Sequence, residues 1–143
     1  MLFERKLFER AVCSRKEKVE AIELFDLFQQ LSEQAMMQGL LSLESVKLSD
    51  PLLQSGIRSI TDALDPKLVR EKLLTKVMAD GLAGIALLRA MIIIDGVLMI
   101  QMGTNPMELH DKLICYLGVD SDLVGQWKER GSSSPSALTA AAR

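Results

Sequence analysis

The sequence predicts an all-α protein, a compact bundle of about five helices with a flexible C-terminal tail. Three observations point there. Apolar residues recur at helical spacing through most of the chain. Asp-Pro or Asn-Pro pairs stand in front of three of those stretches, and a cap followed by proline is a helix start. Four Phe, one Tyr and one Trp against eight Met suits helices better than sheets, which favour aromatic and β-branched side chains.

The first helix is expected to begin within "FERAVCSRKEK" and run to about Gln38, with Leu24, Leu27, Phe28, Leu31 and Ala35 inward and Gly39 at its end. In "SDPLLQSGIRSITDAL", Asp50 caps and Pro51 takes the first position, and Leu53, Ile57, Ile60 and Leu64 line one side. Asp65 and Pro66 repeat the signal, followed by a row of Val69, Leu73 and Val77, with Lys67, Arg70, Glu71 and Lys76 outward. A further helix is expected from about Leu82 to Gln101, apolar nearly all round and therefore the most buried, stopped by Gly103. Asn105 and Pro106 start the next, with Leu109, Leu113, Ile114 and Leu117 inward and Gly118 closing it. A short helix is expected from about Ser121 to Lys128, and "GSSSPSALTAAAR" has too little to bury to be anything but a flexible tail.

The greasy stretch near residue 90 raises the question of a membrane span, which needs about 20 apolar residues. Arg89 and Asp95 fall near its middle. Each costs roughly 2.5–3.5 kcal/mol at mid-bilayer, and each Leu, Ile or Val returns only about 0.3–0.6. The ten such residues between Leu82 and Ile100 therefore only offset the two charges. The stretch reads as a soluble core helix.

A net charge of -2 gives no reason to expect a nucleic-acid partner. Cys13 and Cys115 are too few for a disulfide framework or a zinc site, and reduced thiols in a cytoplasmic protein are expected. "MLFERKLFER" lacks the apolar core of a secretory signal. The single histidine, His110, has only Asp111 beside it, and neighbouring helical residues do not share a face; a structural role is expected. Phosphate-loop, dinucleotide, C-x-x-C and H-E-x-x-H patterns are absent, so no enzyme activity, small-molecule substrate, cofactor or metal is expected. For the methionines from Met36 to Met107, core filling is favoured over an adaptable partner groove, with Met36 and Met37 the two placed to be exposed.

Three stretches in this order resemble the flagellar motor stator family of MotA and its sodium-driven relative PomA. "ELFDLFQQLSEQAMMQGLLSLES" is similar to the family's first cytoplasmic helix with its G-L-L-x-L-E ending. "DPLLQSGIRSITDALDPKLVREKL" is similar to D-P-F-L…G-x-R…D-G-x-D-P…R-E-x-L. "IIIDGVLMIQMGTNPMELHDKLICYL" is similar to the tail motif [DE]-G-x-x-x-I-Q-x-G-x-N-P…L. The likeness covers roughly residues 15 to 117. In the family two membrane helices lie between the second and third stretches, whereas Val77 reaches Leu87 here in ten residues. The resemblance thus divides a helical domain, residues 1–130, into a loop-like segment (1–79), a joint (80–89, within "ADGLAGIALLR") and a tail-like segment (90–130), before the flexible tail 131–143.

What the resemblance implies is a cytoplasmic stator domain that docks on the rotor protein FliG for torque generation in bacterial motility. The family's ion channel and MotB-like stator partner belong to the membrane helices and are not carried over. The family's place is the cytoplasmic face of the inner membrane; this chain is expected in the cytoplasm, with a homo-oligomer as an open alternative to a monomer. Glu44 matches the acidic docking position after G-L-L-x-L, and Met37 and Met36 stand where the family has basic residues. Arg58, Asp62, Asp65 and Arg70 match motif positions, with capping and intrahelical pairing as their equal alternative. Arg15, Lys16 and Lys18 are the basic run expected to support Glu44. Two rival readings are self-association through exposed apolar faces of 82–100, and membrane-surface attachment with Leu2, Phe3, Leu7 and Phe8 inserted.

Overall fold

A computed structural model describes residues 3–122, and among them every regular element is helical. Helices α1 (Arg5–Arg10), α2 (Arg15–Lys18), α3 (Ile22–Gln38), α4 (Pro51–Thr61), α5 (Pro66–Ala79), α6 (Gly84–Gln101) and α7 (Pro106–Ile114) follow in order. Short 3-10 turns cover Val19–Ala21, Leu40–Ser45 and Cys115–Asp122. The five longer helices are those the apolar spacing predicts.

α6 is the axle. Every residue from Ala90 to Ile100 is buried, and α1, α3, α4, α5 and α7 pack on it. By length and composition α6 would suffice to cross a membrane, but here its apolar surface is spent on the other helices. The two charges that argue against a span are both answered inside the fold. Arg89 donates to the Glu20 carbonyl. Asp95 accepts from the Tyr116 hydroxyl at 2.7 Å and lies 3.5 Å from Lys112 Nζ.

Two glycines let the backbones approach. A Cβ on Gly96 would lie 2.6 Å from the Phe28 ring of α3, and one on Gly56 would lie 2.8 Å from Val97. The α6–α7 corner is set by local chemistry. Gly103 (φ +75) lets its N–H reach the Ile100 carbonyl and Thr104 N–H reach Met99, a Schellman stop. Asn105 Oδ1 then accepts from Met107 N–H at 2.8 Å, with Pro106 at the first position. Asp50 and Asp65 cap α4 and α5 in the same way.

Several expectations need correction. The first helix is not continuous from "FERAVCSRKEK". Ser14 and Glu17 form a reciprocal capping box that starts a separate short helix, and a 3-10 turn intervenes before Ile22. α7 hands over to a 3-10 turn at Cys115, ahead of Gly118. Met91 and Met99 fill the core and Met36 and Met37 are exposed, as expected, but Met78, Met102 and Met107 are exposed too, against the core-filling preference. Of the stretch considered for self-association, residues 87–100 are buried apart from Arg89, whereas Leu82 and Ile85 are half-buried. Phe3 is buried too, edge-on to Phe8 and Tyr116, so it is not available for membrane insertion. The tail 131–143, and the expected helix beyond Asp122, lie outside the described residues; Leu2 does too.

Candidate functional site

The segment after α3 is built to display one side chain. Gly39 (φ +87) ends the helix, and the chain folds back so that Gln34 Nε2 donates to the Ser42 carbonyl at 3.0 Å. Ser42 and Ser45 hydroxyls close the turn on the Gly39 and Ser42 carbonyls. Leu43 and Leu48 are buried and pin the segment at both ends, and Gln54 Nε2 holds the Leu48 carbonyl. Between these anchors Glu44 is exposed, its side chain without a hydrogen bond or ion pair among the described residues.

Glu44 sits on the rim of a cleft of about 710 Å³ walled by the Leu40–Ser45 turn, α4 and α5. Arg58 and Asp62 of α4 line the same cleft, so the structure brings together three of the residues picked out from sequence. Asp62 occupies the α4 C-cap position, and Thr61 Oγ1 donates to the Arg58 carbonyl at 3.0 Å. Both Arg58 and Asp62 side chains remain exposed. Asp65 does structural work as the α5 cap.

The other candidates lie elsewhere. Arg15, Lys16 and Lys18 belong to α2, and Lys18 Nζ donates to the Leu117 carbonyl at 3.2 Å. The 17-residue α3, about 25 Å long, separates this basic run from the turn that carries Glu44. Arg70 lines a second, mostly apolar cleft of about 650 Å³ with Leu98, Met99 and Met102. Met36 and Met37 project at 57% and 85% exposure from the last turn of α3, joined by Leu41 at 68%. They form an apolar knob beside the Glu44 turn rather than a charged patch. His110 is buried, edge-on to Phe25 and 3.6 Å from Asp26, as a structural histidine should be.

Two residues that the sequence does not single out complete the cleft. Lys72 and Lys76 of α5 line it, and their ammonium groups reach across to α4. Lys72 Nζ donates to Ser59 Oγ at 3.2 Å and Lys76 Nζ to Ser55 Oγ at 2.9 Å. The available signal was a matched spacing: lysines four apart on one helix and serines four apart on the preceding one. Among the described residues, no cluster of His, Cys, Asp or Glu could hold a metal ion. The cleft is thus a polar surface with three cations and two carboxylates, suited to complementary charge on a partner.

Among known proteins, the chain is 34% identical over 61 residues to Motility protein A of Borreliella burgdorferi, a match covering 41% of this chain and 24% of that protein. It therefore spans about a quarter of the length of the curated relative it matches. No family model matches the chain, and no solved structure does.

Proposed function

We propose that this chain is a non-enzymatic cytoplasmic stator domain of the MotA kind, which docks on the rotor protein FliG and takes part in torque generation in bacterial motility. The observation that carries the reading is the presentation of Glu44. Two buried leucines and four side-chain hydrogen bonds hold this segment, yet the Glu44 carboxylate has no hydrogen bond or ion pair among the described residues. A carboxylate carried on so firmly held a backbone, lining one cleft with Arg58 and Asp62, suits register and partner choice more than stability. The likeness to Motility protein A supports a motility role. The docking domain works at the cytoplasmic face of the inner membrane; ion conduction and a MotB-like partner require membrane helices outside this reading.

The test is binding of the purified chain to immobilised FliG. Wild-type protein should be retained, and Glu44→Lys should bind on the order of tenfold more weakly at low salt because like charges then face each other. Equal retention of the two, with both folded by circular dichroism, would remove Glu44 from the contact and the reading with it.

A further inference from the structure

The Lys72–Lys76 row has a chemistry of its own. The two ammonium groups are neighbours on one face of α5, about 5–6 Å apart at their Cβ atoms. Each is tethered by a hydroxyl on α4 rather than by a carboxylate, and neither forms an ion pair among the described residues. Ser59 is fully buried, and its own hydroxyl donates to the Ser55 carbonyl at 2.8 Å. The tether is therefore part of the α4–α5 interface, and it lowers the ordering cost a flexible lysine brings to binding. Glu44 and Asp62 line the same cleft. A free multivalent anion would meet those carboxylates. A helix avoids the conflict, because it can turn its acidic stripe to the lysines and other side chains to the acids.

Size agrees. At about 710 Å³ the cleft has room for part of a helix about 10 Å across. From this we infer that Lys72 and Lys76 form the cationic half of the cleft and bind a partner helix whose carboxylates repeat at i, i+4. The inference rests on the docking reading for its natural partner, but the recognition itself is tested without one.

The probe is a fluorescent alanine-based helical peptide of about 20 residues with Glu at every fourth position, followed by anisotropy. The wild-type chain should bind it, and binding should weaken with added salt. Lys72→Gln/Lys76→Gln should lose on the order of tenfold in affinity and most of the salt dependence, while Lys72→Arg/Lys76→Arg, which keeps the charge, should bind. Unchanged binding by the Gln pair would overturn the inference, as would equal affinity for the same peptide with Lys in place of Glu. The two readings fail separately. Peptide binding without FliG binding removes the docking reading alone, and FliG binding undiminished in the Gln pair removes this inference alone.

Discussion

Gly96→Ala should destabilise the fold although alanine is the better helix former. The added Cβ would sit 2.6 Å from Phe28 Cδ1 and Cε1 and 2.8 Å from Cζ. Carbon atoms in good contact are about 3.5–4.0 Å apart, so ring and helix must separate by about 0.9 Å. Phe28 is fully buried and Gly96 lies in the middle of the buried α6; neither side has solvent to retreat into. Overpacking of this kind costs about 1–3 kcal/mol, and contact with three ring atoms at once argues for the upper end. Relief of glycine's helix penalty returns about 1 kcal/mol, leaving a net loss of about 2 kcal/mol. With a urea m-value near 1.5 kcal/mol per M, the midpoint should fall by about 1.3 M. The cause is tested by Phe28→Leu in the same background: removing the ring should relieve the clash, so the double variant should cost about 1–2 kcal/mol less than the sum of the singles. A Gly96→Ala midpoint within experimental error of wild type, or strict additivity in the double, would refute the close-approach argument.

Two further outcomes follow from single residues. Ala63 ends α4 with φ +60, donating to Ile60 while Leu64 donates to Ser59. Ala63→Gly should relieve left-handed strain, raise stability by about 1 kcal/mol and raise the melting temperature by about 3–5 °C; a lower melting temperature would contradict it. Tyr116 is held above its ordinary value by burial first and then by the Asp95 carboxylate it bonds. A raised phenol contributes stability that is complete below its unfolded value, near 10, and is lost as pH rises beyond it. Urea midpoints should therefore fall more steeply between about pH 9.5 and 11 for wild type than for Tyr116→Phe, and parallel profiles would exclude the linkage.

What the sequence made legible was local. A cap residue followed by proline acts within its own first turn, so the starts of α4, α5 and α7 needed no knowledge of neighbours. Gly39 and Gly103 stop helices for the same reason. The break before Ile22 was also local in origin, but the Ser14–Glu17 box is easily lost inside a longer apolar pattern. Tertiary placement was not legible. Met36 and Met37 extend from the end of α3, whereas Met91 and Met99 sit within the axle; the residue type does not distinguish them. Lys76 reads as outward from α5 alone, and only the packing of α5 on α4 turns it and Lys72 into a cleft wall. Glu44 and the Arg15–Lys18 run were expected to act together, and the length of α3 separates them.

The tail motif illustrates why likeness in sequence and evidence for docking are different things. Asp95 accepts the buried Tyr116 bond, Gly96 admits the Phe28 ring, and Gln101 Nε2 holds the Leu64 carbonyl at 2.7 Å. Gly103 stops α6, and Asn105 with Pro106 starts α7. Each of these positions has a role in the fold, so a chain could keep the whole motif and dock on nothing. Glu44, Arg58, Lys72 and Lys76 are different. Their charges add little to an exposed surface's stability, yet buried Leu43 and Leu48 fasten the backbone that carries Glu44, and serine hydroxyls hold the Lys72 and Lys76 ammonium groups. Rigid support for charges that stabilise little is the arrangement expected where a partner must be met in one register, and binding measurements on these four residues bear on function in a way that motif substitutions cannot.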